Sequence, residues 1–365
     1  MIQSGFFTQK KILLVDRAPK TLNDRTWCFW AKPSTGKEGT ASPSGFFDSI
    51  VYKQWEKLWM RHPAGDIPLD IVPYSYKMIR GEDFYRHCFN IVREAPNVQL
   101  LYGEVSDINA DKGSISVSGD QFFGEYIFSS VLLDMPMLQP TQYYLLQHFR
   151  GWWVETKEEA FDPTQADLMN FHTSQEHGCT FVYVLPVSGR RALVEYTLFT
   201  EDELTSEEYN EGLKTFISAQ LKIQDFTIKE VENGVIPMTN LHFPAQKGKV
   251  FFIGTAGGQT KASTGYTFQF IQKQAEAILQ ALLKTGQPVI TRQPARFNFY
   301  DSVLLRVLHE GRIKGADVFH QMFSKNKASV VMRFLDNETH LGEELKIMNS
   351  SDKSIFLPAA LKEMF

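Results

Sequence analysis

Short apolar runs divided by turn residues alternate along this chain with a few stretches of helical spacing. KILLVDR (Lys11–Arg17) is an apolar run closed by an acid, the pattern of a strand buried on both faces in a parallel sheet. Through Trp27, Trp30 and the Gly/Ser/Pro-rich stretch near Gly36–Gly45, turn chemistry replaces periodicity and predicts long loops. Phe84, Cys88, Ile91 and Val92 share a helical face, so a helix is predicted from Asp83 to Ala95, stopped by Pro96-Asn97. Val98–Ile108 and Ile115–Ser118, divided by Asn, Asp and Gly, predict two strands joined by a turn.

From about Gln147 to Thr200 the pattern changes to successive strand-like runs, HFRGWWVE, ADLMNFHT, TFVYVLP and ALVEYTLF. Such runs with turns between them predict one antiparallel sheet, a region distinct from the first. Glu201–Leu221 has helical spacing, and Phe226–Thr239 predicts a strand ending in IPMT. GKVFFIGTAGG (Gly248–Gly258) returns to the buried-strand pattern and runs into a helix predicted from about Ser263 to Lys284. Beyond Arg292 the chain reads as mostly helical, and no internal repeat points to a solenoid.

Composition narrows the classes. The 365 residues are 22% charged and 43% hydrophobic, an ordinary globular balance, and the net charge of −4 offers no basic footprint for nucleic acid. Cys28, Cys88 and Cys179 have neither CxxC spacing nor an even count, which argues against a zinc site and a disulfide framework and for a reducing, cytoplasmic compartment. No run approaches the roughly 18 apolar residues of a bilayer span, so membrane contact is expected to be peripheral. Aromatic residues make up 13% of the chain, 29 of them Phe, which implies an aromatic core or a long apolar tunnel.

The chemistry concentrates at two junctions. A strand, a glycine-rich turn and a helix together let backbone N–H groups approach a phosphate; Gly254, Gly257 and Gly258, then Thr260, Ser263, Thr264 and Gly265, occupy such a place. Asp16, ending the first strand, stands where an acid often receives a ribose.

NDRTWCFW (Asn23–Trp30), QHFRGWWVE (Gln147–Glu155), FVYVLP with LVEYT (Phe181–Thr197), GVIPMT (Gly234–Thr239) and FFIGTAGGQTKASTGYTFQFIQ (Phe251–Gln272) follow one another in order. In these blocks the chain resembles the FAD-dependent lycopene cyclases over essentially its whole length. The resemblance implies an α/β, FAD/NAD(P)-binding Rossmann-like flavoprotein fold with an interleaved antiparallel-sheet substrate domain. The FAD-binding domain would comprise residues 1–30, 78–135 and 245–290, the substrate domain 31–77 and 136–244, and a helical C-terminal region 291–365. It further implies a redox-neutral, acid-initiated cyclisation of lycopene to β-carotene through γ-carotene, using reduced FAD with NAD(P)H as indirect reductant.

The family carries a catalytic Glu in the LVEYT block, which maps to Glu195; strand alternation puts it on one face with Leu193. Trp152, Trp153, Phe181, Tyr183, Tyr196 and Phe268 recur on the same segments as candidate walls of a carotene tunnel. Arg25 and Lys261 are candidates for contacts with the flavin or its phosphates, beside Asp16, Gly254, Gly257, Gly258, Thr264 and Gly265. A carotene substrate also implies peripheral association with the inner face of the membrane, for which VVMRFL and IFLPAALKEMF offer apolar faces.

Two features depart from the family. Asn170 stands in MNF, where an acid is usual, leaving Glu195 as the candidate donor. The residues before Asp16 hold Gly5 but no G-x-G-x-x-G turn, so the chain is expected to lack the first strand of its dinucleotide unit and to bind FAD poorly. Two other functions remain open on these residues: an FAD-dependent monooxygenase or reductase on the same scaffold, and a non-enzymatic carotene-binding remnant. The sequence does not distinguish one-end from two-end cyclisation, β- from ε-rings, or any oligomeric state.

Overall fold

The computed structural model describes residues 1–33, 45–132, 137–290 and 293–364. The chain runs through β1 (Ile12–Asp16), β2 (Thr26–Ala31), β3 (Lys53–Trp55), β4 (Lys57–Arg61), β5 (Ile67–Asp70) and β6 (Ser75–Arg80) to α1 (Gly81–Glu94). β7 (Val98–Tyr102), β8 (Val105–Asn109), β9 (Ser114–Val117), β10 (Asp120–Phe123) and β11 (Ile127–Ser129) follow. The long strands come next: β12 (Tyr144–Glu155), β13 (Gln165–Asn170), β14 (Cys179–Ser188) and β15 (Arg191–Thr200), then α2 (Ser206–Ala219) and β16 (Thr227–Thr239). β17 (Gln246–Lys247) and β18 (Val250–Phe252) lead to α3 (Phe268–Thr285). The chain ends on α4 (Ala295–His309), α5 (Gly315–Lys325), α6 (Ala328–Leu335), α7 (Leu341–Ser350) and α8 (Lys353–Met364).

The parallel part is divided. β1 pairs with β7, and β11 pairs with β18, both parallel. Among the described residues no strand pairs the other edge of β1 or joins it to β11. The larger sheet has the order β16-β12-β15-β14-β13-β4-β5 and is antiparallel except where β13 lies parallel to β4. β2-β6-β3 forms a small antiparallel sheet. The segment through Trp27 and Trp30 is therefore a strand rather than a loop, because Thr26–Ala31 finds β6 as a partner far along the chain. Most of the stretch near Gly36–Gly45 lies outside the described residues.

β14 is buried from Cys179 to Pro186, which is why its sequence is apolar without alternation. One face of the large sheet packs Trp152, Val154, Val194 and Tyr196 against Tyr209, Leu213 and Phe216 of α2. The other packs Trp153, Phe181, Tyr183 and Leu193 against Trp30, Tyr76 and Met78 of the small sheet and Phe319 and Val331 of α5 and α6. α2 begins with a capping box: the Glu208 backbone N–H donates to Thr205 Oγ1 (3.3 Å), and the Thr205 N–H donates to Glu208 Oε2 (2.7 Å). Thr205→Ala is expected to cost about 1 kcal/mol. Urea unfolding would show this as a lower midpoint with an unchanged slope.

Candidate active site

Strand register builds the site. Glu195 on β15 pairs with Gly151 of β12 on one side and Tyr183 of β14 on the other, and Gly151 pairs in turn with Glu232 of β16. Directly paired residues point to the same face, so Glu232, Glu195 and Tyr183 form a row, with Gly151 leaving a gap between the two acids. A Cβ on Gly151 would lie 3.0 Å from Glu232 Cγ and 3.3 Å from Glu232 Oε1, so the Glu232 side chain leans over this glycine. Each acid is held by a threonine. Thr197 Oγ1 donates to Glu195 Oε1 (3.1 Å), and Thr26 Oγ1 donates to Glu232 Oε2 (2.9 Å). Glu232 Oε1 is buried and has no hydrogen-bond partner.

β2 closes the site from above by its own alternation. Thr26 reaches Glu232, Cys28 lies within the field of both acids, and the Trp30 Nε1–H donates to Asp336 Oδ2 (2.6 Å). Glu195 is packed deep among protein atoms yet keeps partial accessible surface. Burial, reinforced by the nearby Glu232, pushes its carboxyl well above the usual carboxylate range. Glu232 is raised by burial as well, against the Thr26 hydrogen bond that favours its ionised form. Tyr183 and Tyr76 are pushed up by burial and by neighbours that include Glu195. The arrangement therefore favours the neutral, proton-bearing form of the Glu195 carboxyl beside aromatic side chains, as a general acid requires.

The aromatic candidates divide between the two sides of the sheet. Trp153, Phe181 and Tyr183 share the face of Glu195, and Trp153 also carries the Arg191 guanidinium 4.9 Å from its ring. Trp152 and Tyr196 lie on the opposite face, under α2, away from Glu195; adjacent residues of a strand point opposite ways. Tyr196 instead borders a cleft of about 610 Å³ that it shares with His172, Glu176 and Gly212. Phe268 packs with Trp27 (5.3 Å), Phe29 (4.8 Å) and Phe47 at the start of α3. The cavity beside Cys28, Trp30, Tyr266 and Phe268 has a volume of about 20 Å³, and Phe181 and Trp153 are wholly buried core residues.

The cofactor candidates are placed as follows. Asp16 ends β1, where its carboxylate accepts from the Ala18 N–H (3.3 Å) and lies 3.4 Å from Lys20. Arg25 pairs with Asp24 (3.1 Å) and feels Asp16 as a further negative neighbour. Gly254–Gly257 is a 3-10 turn after β18. A Cβ on Gly257 would lie 2.3 Å from the Phe252 carbonyl oxygen, which excludes a side chain there, and Gly265, at a φ of 71°, lies under the end of the Gln147 side chain. Gly254 and Gly258 adopt φ of 61° and 71°. Thr264 Oγ1, Gln147 Oε1, Gln272 Oε1 and Trp27 Nε1 are buried here without partners. These orphaned atoms around a glycine turn fit the polar, uncharged end of a flavin.

Lys261 is the exception. Its ammonium is wholly buried in an ion pair with Asp301 Oδ1 (2.6 Å) and donates to Asn337 Oδ1 (2.9 Å). The turn that carries it curls on itself, with the Gly265 and Thr264 N–H groups donating to the Lys261 carbonyl, and this sends the side chain inward to α4 rather than toward a cofactor. Asn170 also has a structural place. Its Nδ2 donates to Asp167 (2.9 Å), and it pairs with Val182, on the α2 side of the sheet, so the missing acid there does not bear on Glu195.

Glu232 and Asp336 are acids of the site that the sequence reading did not single out. The signal for Glu232 was a glycine, Gly151, inside an apolar strand, which marks a close approach from a neighbouring chain segment.

A family model described as Lycopene cyclase protein matches residues 7–358. No curated protein matches the chain. Among solved structures it is similar to the flavin-dependent brominase Bmp2 (TM-score 0.58, 12% identity, 94% of this chain and 92% of that one). A flavoprotein/dehydrogenase from Cytophaga hutchinsonii is also similar (TM-score 0.57, 12% identity, 88% and 85%). So is a geranylgeranyl bacteriochlorophyll reductase-like protein from Thermoplasma acidophilum (TM-score 0.51, 11% identity, 97% and 89%). At such identities the likeness is one of fold, the Rossmann-like α/β fold of flavoproteins. With a family match across nearly its whole length, the chain belongs to the lycopene cyclase family.

Proposed function

We propose that the protein closes the acyclic ends of lycopene to β-rings, giving β-carotene by way of γ-carotene, with reduced FAD as its cofactor. The observation that carries this reading is the place of Glu195, a carboxyl whose neutral form burial favours, on a sheet face shared with Trp153, Phe181 and Tyr183. Glu195 would donate its proton to the terminal double bond, leaving a tertiary cation that a neighbouring double bond attacks to form the ring. Loss of a ring proton then sets the final double bond, and no electrons are consumed. Desolvated aromatic faces stabilise a nearby cation by roughly 0.5–2 kcal/mol each, which suits Phe181 and Tyr183 to the enclosure. Exclusion of water by the same walls protects the cation from capture.

A flavin would be held by the turn from Gly254 to Gly265 with Thr264, and its ribose side by Asp16 and Arg25; a glycine-rich seat for the pyrophosphate is not among the described residues. In its reduced state it would supply electrostatic stabilisation of positive charge, with NAD(P)H as the indirect source of that state. Since the space beside Cys28 and Tyr266 is about 20 Å³, room for about one water, admitting a carotene end requires these walls to part.

Among the described residues no helix is long and apolar enough to cross a membrane. VVMRFL in α6 is largely core, with Val331 and Met332 fully buried, but Leu341 and Leu345 of α7 and Leu357 and Leu361 of α8 are exposed one helical turn apart. A carotene dissolves in the bilayer, so these helix faces are proposed to rest on the cytoplasmic membrane surface. Replacing the four leucines by Ser is expected to lower co-sedimentation with lipid vesicles several-fold; unchanged co-sedimentation would count against this contact.

The test of the reading is expression in a lycopene-accumulating host followed by pigment analysis. Cyclised carotenes are expected, and unchanged lycopene from a folded, flavin-loaded protein would refute it.

A further inference from the structure

We propose that Glu232 reloads Glu195 with a proton between turnovers, across the gap left by Gly151. The inference rests on the cyclase reading for its purpose and on geometry for its substance. Glu232 is 3% exposed and stands two strands from Glu195 on the same sheet face, and the residue paired between them is glycine, over which only the Glu232 side chain and the Leu193 Cδ1 methyl close in. One of its oxygens is held by Thr26, while the other is buried, unpartnered and leans over Gly151, and its charge is felt at Glu195. A buried carboxyl oxygen with no partner is costly, and a proton shared with a second carboxyl is a function that such an atom can serve.

The row continues outward. Glu230, two residues earlier on the same face of β16, is half-exposed; it accepts from Asn23 Nδ2 (2.9 Å) and from Arg191 (2.8 Å). Asp24, also partly exposed, adds to the negative field at Glu232. The groups facing Glu232 are therefore Glu195 on β15, Glu230 on its own strand, Asp24 and Cys28 on and before β2, and Arg191 bound to Glu230. Along one sheet face the acids thus run from the half-exposed Glu230 to the buried Glu232 and, across Gly151, to Glu195.

The proton balance is simple. Glu195 gives its proton to carbon and becomes a carboxylate, and the ring later releases a proton that reaches water. Glu232, as the acid, passes its proton to the Glu195 carboxylate and recovers one from solvent by way of Glu230. No oxidant or reductant enters the step.

The decisive readout is the protonation of the two carboxyls, followed by infrared spectroscopy of the full chain from about pH 5 to about pH 9. On raising pH, wild type is expected to lose the protonated-carboxyl bands of Glu232 and of Asp336, whose carboxyl burial also raises to about 7, while that of Glu195 persists; Asp336→Asn identifies the Asp336 band, and the loss that remains, the first loss, is that of Glu232. In Glu232→Gln the first loss should vanish, and the remaining carboxyl should ionise at lower pH because the neighbouring negative charge is gone. Thr26→Val, which removes a hydrogen bond favouring ionised Glu232 and leaves both acids in place, should raise the pH of the first loss. Pigment formation by Glu232→Gln should fall at least about tenfold at neutral pH and recover toward wild type as the medium is made more acid. Titration of the remaining carboxyl unchanged by Glu232→Gln, or wild-type turnover by that variant at every pH, would overturn the proposal. If wild type forms no cyclised product while the infrared coupling is present, the cyclase reading fails and the carboxyl pair stands.

Discussion

Glu195→Gln is expected to abolish cyclisation while leaving the fold intact. Glutamine keeps the length of the side chain and can still accept from Thr197, so the strand row Glu232, Gly151, Tyr183 is undisturbed. It cannot donate a proton to carbon, and loss of a positioned general acid costs about 10²–10⁴ in rate. Glu232 cannot substitute, because it stands on the far side of Gly151 with one oxygen tied to Thr26. Pigment analysis of cells producing the variant should show lycopene alone, with thermal unfolding and bound flavin at wild-type levels. Normal β-carotene formation would remove Glu195 from the chemistry.

Asp301→Ala is expected to destabilise the protein by about 3–5 kcal/mol, the cost of leaving one member of a buried ion pair without its partner. The Lys261 ammonium is wholly inaccessible, and Asn337 offers it a dipole but no charge. Ser263 Oγ also donates to Asp301 Oδ1 (2.6 Å), so the substitution frees two donors in the segment between Gly258 and α3. Urea unfolding should show the loss directly, and the double variant Lys261→Met with Asp301→Leu should recover most of it. Equal stability of wild type and Asp301→Ala would mean that the pair is solvated in solution. Because this pair fastens the glycine-rich turn to α4, weaker flavin retention by the single variant is expected to accompany the loss.

Where one residue's neighbours decide its fate within the strand, the sequence was readable. Glu195 could be placed on one face by alternation, and the long strands from β12 to β15 announced themselves by apolar content and turns. Facing across the sheet was not readable in the same way. The tandem Trp152-Trp153 looks like a pair of tunnel walls, yet strand pleating must send one ring to α2 and the other to the acid side. Lys261 looks like an anion contact in a glycine-rich turn, and only the arrival of Asp301 from α4, far along the chain, shows where its charge is spent. Thr26–Ala31 read as loop because its partner β6 is distant in sequence and its own residues carry no period-2 alternation. Glu232 was hidden for the same reason: its meaning depends on the register of β16 against β12, which places it over a glycine.

The central claim is that a carboxylic acid of this protein starts a redox-neutral ring closure by protonating carbon. The most direct measurement is the mass of the carotene formed by the flavin-loaded protein in heavy water. Exchange of the Glu195 and Glu232 protons with solvent predicts a product isomeric with lycopene except for one deuterium per ring closed, with no NAD(P)H consumed in step with product. A product lacking deuterium, or one gaining oxygen or hydrogen with stoichiometric consumption of NAD(P)H, would contradict it.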